Sequence, residues 1–232
     1  MEAFSALIST VNSFVWGPWM LVLLVGTGIF LTFRLGFIQI FQLPYALKLA
    51  FSPAQQDRIS KGDISHFQAL MTALAATIGT GNIVGVATAV VLGGPGAVFW
   101  MWITALFGMA TKYGEAVLAI KFRVTDEKGE MAGGPMYYIE KGLGWKWLAV
   151  LFAVFGSVAA FGIGNLVQAN AVAGNMHDTF GVSPVLTGIL LAVFTALVIL
   201  GGVKSIGRWT SIIVPFMAIF YVLGGLYIIF SN

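Results

Sequence analysis

The feature that most constrains this chain is a break inside an apolar run. Residues 67–96 read FQALMTALAATIGTGNIVGVATAVVLGGPG, and Gly79-Thr80-Gly81-Asn82 interrupts a stretch otherwise fit to cross a bilayer. At about 1.5 Å of rise per residue, the arms 67–77 and 83–92 each reach about half of a ~30 Å hydrocarbon core. The break therefore falls near the membrane midplane. Backbone groups that leave a helix at that depth lose their hydrogen bonds at several kcal/mol each unless protein, ligand or water replaces them. The run predicts a discontinuous helix whose gap is half of a transport site.

The two sides of such a gap differ in polarity. The first arm ends in carbonyl oxygens, the negative pole of its dipole, and the second begins with free N–H groups, the positive pole. One gap then suits a cation and a carboxylate together, as in the discontinuous helices of secondary transporters. Thr80 and Asn82 add side-chain oxygens that either cap the second arm or face a ligand. The competing reading is a packing face, because Gly81-x-x-x-Gly85 is a small-x-x-x-small pattern of the kind that brings membrane helices close. A dinucleotide fingerprint is excluded: the glycines do not match G-x-G-x-x-G and no strand precedes them.

With 59% hydrophobic and 9% charged residues among 232, the chain carries more apolar surface than a soluble domain of its size can hide. The sequence therefore predicts an all-α membrane protein. Six stretches are long and apolar enough to span: 16–33, 67–92, 97–120, 147–173, 184–200 and 209–230. Arg34, Lys48, Arg58 and Lys61 follow the first span. Lys112 lies near the end of the third, which Lys121, Arg123, Lys128, Lys141 and Lys146 follow, and Lys204 and Arg208 follow the fifth. These are all twelve Lys and Arg, and none precedes span one or lies between spans two and three or four and five. Loops 34–66, 121–146 and 201–208 are then cytoplasmic and the N-terminus is outside. The net charge of +3 follows this topology, and nucleic acid is not an expected partner; membrane lipid is.

Ahead of span one, Phe4, Leu7, Ile8, Val11 and Val15 recur at helical spacing and suit a short interfacial helix; a signal peptide's basic n-region and cleavage site are lacking. Ser65 and Gln68 match the S-x-x-Q capping box and give the broken helix a cytoplasmic start. Loop 121–146 reads as a solvated loop with a turn at Gly133-Gly134-Pro135. His177 and Asp178 fall in a short outer loop, and Pro215 is a kink signal in the last span.

Lys112 and Glu115 are i,i+3 neighbours near the cytoplasmic end of span three, and act either as a gate or as a structural pair. Gly156, Ala160, Gly164 and Gln168 recur every four residues in span four, a small-residue stripe expected to pack on the broken helix. Asn165 and Gln168 on that span either line the outer half of a cavity or hydrogen-bond between helices. There is no cysteine, the two histidines, His66 and His177, are far apart, and no nucleophile–base or paired-carboxylate arrangement falls at membrane depth, so neither an enzyme, nor a resident metal, nor a cofactor is expected.

The runs GTGNIVGVATAVVLGGPGAVFWMW, TKYGEAVLAIKFR, GGPMYYIEKGLG and FGIGNLVQAN, in that order, closely resemble the bacterial and archaeal alanine or glycine:cation symporters, the sodium:alanine symporter family. The resemblance covers nearly the whole chain. It implies a LeuT-like transporter fold of two inverted five-helix repeats preceded by one extra helix, in a bacterial or archaeal cytoplasmic membrane. On that basis the chain is one transmembrane domain: 1–65 holds the interfacial segment, the first helix and a cytoplasmic loop, and 66–232 is the first five-helix repeat, with the second repeat absent. The resemblance further implies that the carbonyls of Ala75 and Ile78 touch sodium, with Thr77 a weaker ion ligand. The N–H groups of Thr80 and Gly81, in the break that starts at Gly79, hold a substrate carboxylate, and Asn82 supports the site. The implied activity is symport of alanine or glycine with Na+ or H+, in partnership with the missing C-terminal repeat. The alternative is a non-transporting subunit or truncated remnant whose glycines only pack helices.

Overall fold

A computed structural model of the chain describes residues 2–52, 62–127 and 129–231, without the side chains of residues 2 and 3. Arg58, Lys61 and Lys128 of the charge pattern lie outside the described residues. The chain is an all-α membrane protein apart from one short hairpin. Its elements are α1 (Glu2–Val15), α2 (Pro18–Arg34), α3 (Ile38–Phe41), α4 (Leu43–Phe51), α5 (His66–Thr77), a π-helical turn (Gly81–Gly85) running into α6 (Val86–Gly93), and α7 (Gly96–Lys121). Then come β1 (Val124–Thr125), β2 (Met131–Ala132), α8 (Pro135–Leu143), α9 (Lys146–Ala159), a second π-helical stretch (Ala160–Leu166), α10 (Val167–Phe180), α11 (Pro184–Ile199) and α12 (Gly202–Ser231).

Among the described residues, four helical stretches are long and apolar enough to cross a membrane: Phe4–Arg34, Gly96–Lys121, Lys146–Phe180 and Gly202–Ser231. The pair His66–Thr77 and Gly81–Gly93, bent by 59° at its break, makes up to five. Pro184–Ile199 is apolar but shorter. Only 6% of each apolar window is buried, so nearly all of this surface faces lipid or other helices.

Several boundaries differ from those the sequence suggests. Lys146–Phe180 is one 35-residue helical stretch, and His177 and Asp178 lie in its last turn, not in a loop. The stop is Gly181, whose φ of +67 lets it close the helix with N–H bonds from Gly181 to the His177 carbonyl (2.8 Å) and from Val182 to the Met176 carbonyl (3.3 Å). Lys204 and Arg208 sit within α12, which begins at Gly202, because an apolar run marks where lipid starts and not where the helix starts. Loop 121–146 contains the hairpin and α8, with Pro135 in the first helical turn. α12 runs on through Pro215 as a single helix.

The chain divides into two compact units. In the first, Met1–Tyr45, Ala89–Val124 and Ala132–Ala149, α2 packs on α7. A Cβ added at Gly28 would stand 2.9 Å from the Phe107 carbonyl oxygen, so the two backbones touch there. Next to this contact the buried Thr32 hydroxyl donates to the Gly28 carbonyl (2.8 Å) and accepts from Gln39 Nε2 (2.9 Å). Gln39 Nε2 also reaches the Leu106 carbonyl at 3.4 Å, so α3 is fastened to both helices.

In the second unit, Ala46–Thr88, Thr125–Met131 and Val150–Asn232, α5 lies along α12. Gly207 lets the helix close on α5 and its entry: a Cβ there would be 3.4 Å from Gln68 Cβ of α5 and 3.0 Å from Ile64 Cγ2 just ahead of it. One turn further, the hydroxyls of Thr72 and Thr210 pair at 3.0 Å. The capping box is complete, since the Gln68 N–H donates to Ser65 Oγ (3.2 Å) and the Ser65 N–H to Gln68 Oε1 (3.1 Å). The Met131 N–H donates to Asp63 Oδ2 (2.9 Å), tying the hairpin to the entry of α5.

Candidate functional site

α5 is regular to Thr77, whose hydroxyl donates to the Ala73 carbonyl (2.7 Å). The chain then leaves the helix at Ile78, with φ −84° and ψ 119°, and Thr80 is already helical again at φ −57°, ψ −30°. The irregular backbone is therefore Ile78–Gly79, and Thr80, Gly81 and Asn82 open the second arm, three residues earlier than the sequence suggests. The cause is Asn82. Its Oδ1 accepts the Gly79 N–H (3.0 Å) while its own N–H donates to the Gly79 carbonyl (3.0 Å), closing a tight turn around the break.

The donors that would continue the α5 ladder are both diverted. The Gly79 N–H, due to the Ala75 carbonyl, goes to Asn82. The Thr80 N–H, due to the Ala76 carbonyl, goes to Gln168 Oε1 of α10 at 3.1 Å. The Ala75 and Ala76 carbonyls are thus left without their i+4 partners at the negative end of the α5 dipole, as a cation site requires. A Cβ at Gly79 would lie 3.1 Å from Gln168 Nε2 and 3.2 Å from Oε1, so this glycine is where α10 approaches the break.

Gly81 and Gly85 behave differently. A Cβ at either meets nothing within 4 Å, so close helix packing does not explain them among the described residues. Asn82 lines a cavity of about 280 Å³ with Ile78, Ile83, Met217, Ala218, Tyr221 and Val222. The break thus has Gln168 against Gly79 and Thr80, and this apolar cavity beside Asn82.

Gln168 reaches the break, as its stripe suggested, but the stripe itself does not act as one face. Gly156 and Gly164 have nothing within 4 Å of an added Cβ, because the π-helical stretch Ala160–Leu166 puts four-residue neighbours out of line. Asn165, within that stretch, instead lines a groove of about 430 Å³ with Ala169, Gly188, Ala192 and Thr195, between α10 and α11. The structure therefore separates Asn165 from Gln168. The cavity residues Met217 and Tyr221 carried no signal in the sequence beyond belonging to a span.

Lys112 Nζ and Glu115 Oε2 pair at 3.1 Å, with side chains 70% and 41% exposed. They line a cavity of about 220 Å³ with Leu24, Thr104, Phe107 and Thr111. In the same unit, burial and, secondarily, the Glu115 carboxylate push the Tyr138 phenol above its usual pKa, so Tyr138 stays neutral beside the pair.

With this geometry in view, similarity to known proteins is informative. The sodium:alanine symporter family model matches residues 1–232. The chain is 71% identical over 99% of its length to the sodium/alanine symporter AgcS of Methanococcus maripaludis, covering 51% of that protein. It is 59% identical over 98% of its length to an uncharacterized transporter of Haemophilus influenzae, covering 49% of it. It is 40% identical over its full length to the amino-acid carrier protein AlsT of Bacillus subtilis, again covering 49%. The chain spans about half the length of the curated relatives it matches.

Proposed function

The chain belongs to the sodium:alanine symporter family, and from that premise we propose that it supplies the first five-helix repeat, with one extra helix before it, of a LeuT-like symporter. The transported pair is a small neutral amino acid, alanine or glycine, and Na+ or H+. A second repeat completes the machine. Six spans, an outer N-terminus and cytoplasmic loops 34–66, 121–146 and 201–208 follow from the distribution of Lys and Arg.

The observation that carries this reading is the pair of diverted N–H groups at the break. The Ala75 and Ile78 carbonyls hold the cation, with Thr77 beside them. The Thr80 and Gly81 N–H groups, at the positive pole of the second arm, hold the carboxylate. Asn82 fixes the turn that keeps the two sets adjacent, and Gln168 stands at the carboxylate end. Asn165 borders the α10–α11 groove, and Lys112 and Glu115 form a cytoplasmic gate. The reading of a packing-only remnant fits less well, because Gly81 and Gly85 face open space.

The test is uptake of radiolabelled alanine and glycine into vesicles containing this chain together with a second repeat. An inward Na+ gradient is expected to drive concentrative uptake, and a proton gradient in Na+-free buffer separates the two coupling ions. Uptake that neither gradient accelerates would count against symport.

A further inference from the structure

We infer that the Gln168 side chain is a built-in competitor for the carboxylate of the amino acid, holding the Thr80 N–H until the ligand displaces it. This rests on the carboxylate assignment proposed above. The Thr80 amide has one hydrogen, and Gln168 Oε1 takes it at 3.1 Å. A carboxylate oxygen using that hydrogen needs a donor–acceptor distance of about 2.9 Å along nearly the same line, so it and Gln168 Oε1 exclude each other. Substrate binding at Thr80 therefore includes release of Gln168.

The contact is built into both sides. Gln168 is half-buried, and its amide lies on the Gly79 backbone at distances that any larger residue would disturb. It lies two residues after the π-helical stretch Ala160–Leu166, and Thr80 directly precedes the π-helical turn Gly81–Gly85. Single π-helical turns inside α-helices recur at functional sites, so each partner sits beside a segment of that kind. The chemistry suits exchange. A neutral amide oxygen satisfies the N–H at membrane depth, where leaving it unpaired is costly, yet a carboxylate makes a charge-assisted bond roughly twice as strong. The break then selects for ligands with an anionic acceptor, since a neutral amide gains nothing over Gln168 itself.

The test follows the Thr80 backbone amide and the Gln168 side-chain amide by 15N NMR on the chain paired with a second repeat in lipid nanodiscs, titrated in Na+ buffer with alanine and, separately, with alaninamide. Alanine is expected to shift both resonances in the wild type, and alaninamide neither. Because a ligand's apparent affinity falls by the fraction of protein that is competent to bind, Gln168→Ala should lower the alanine midpoint at Thr80 about fivefold, the size of one net hydrogen bond. Gln168→Glu, which places a permanent carboxylate on the same N–H, should abolish the alanine response. A midpoint in Gln168→Ala equal to or above that of the wild type overturns the inference and makes Gln168 a ligand or a packing group. If that variant does not fold, Gln168→Met keeps the length without the amide and is judged by the same criterion. Absence of any Thr80 shift in both proteins overturns the carboxylate assignment, and the inference with it.

Discussion

Gly81→Leu is expected to reduce alanine uptake by about 100-fold while leaving the fold as stable as before. The two halves of that result have separate causes. A Cβ at Gly81 meets nothing within 4 Å, so a larger side chain is accommodated without moving a helix. That same space adjoins the Thr80 and Gly81 N–H groups proposed to hold the carboxylate, and filling it would remove two charge-assisted hydrogen bonds worth about 1.5 kcal/mol or more each, or roughly two factors of ten. Uptake through the chain paired with a second repeat, set beside thermal unfolding of both proteins in detergent, checks it. Loss of stability in step with uptake would return Gly81 to a packing role.

The opposite pattern is expected at Gly28. There an added Cβ would stand 2.9 Å from the Phe107 carbonyl oxygen and 3.1 Å from Phe107 Cβ, and the obstacle is backbone, which cannot swing aside. Gly28→Val should destabilise the α2–α7 pair by about 3 kcal/mol, at the upper end for overpacking. It should also loosen the adjacent Thr32–Gln39 bond. Gly26, on the same helix, has nothing within 4 Å, so Gly26→Val is the control and should unfold at the wild-type temperature. Equal unfolding temperatures for the two variants would contradict the close α2–α7 contact.

How far the sequence exposes this architecture depends on which physical rule speaks at each position. The break was visible because two glycines, a threonine and an asparagine interrupt an apolar run at mid-depth, where hydrocarbon tolerates no unpaired backbone. Its location within the motif was not, because the side chain of Asn82 folds back on Gly79 and draws Thr80 and Gly81 into the second arm. The capping box at Ser65 and Gln68 was legible in full, since both halves of that motif lie within four residues. The small-residue stripe of span four misled in part. It delivered Gln168 to the break but assumed a uniform helix, and the π-helical stretch at Ala160–Leu166 turns Asn165 toward α11. Such a stretch has no composition signal. Nor does the apolar cavity beside Asn82, which arises from the 59° bend of one span against α12.

The central claim is that one break joins a cation site on carbonyls to a carboxylate site on N–H groups. If it does, the two ligands are linked, and each must raise the affinity for the other by the same factor. Equilibrium binding of labelled alanine, measured on the wild type and on Gly81→Leu with a second repeat present, in Na+ and then in K+, tests this most directly. The account predicts that Na+ tightens alanine binding to the wild type by about tenfold or more and that Gly81→Leu binds alanine in neither salt. Alanine binding of equal strength in Na+ and K+, undiminished by Gly81→Leu, would contradict it.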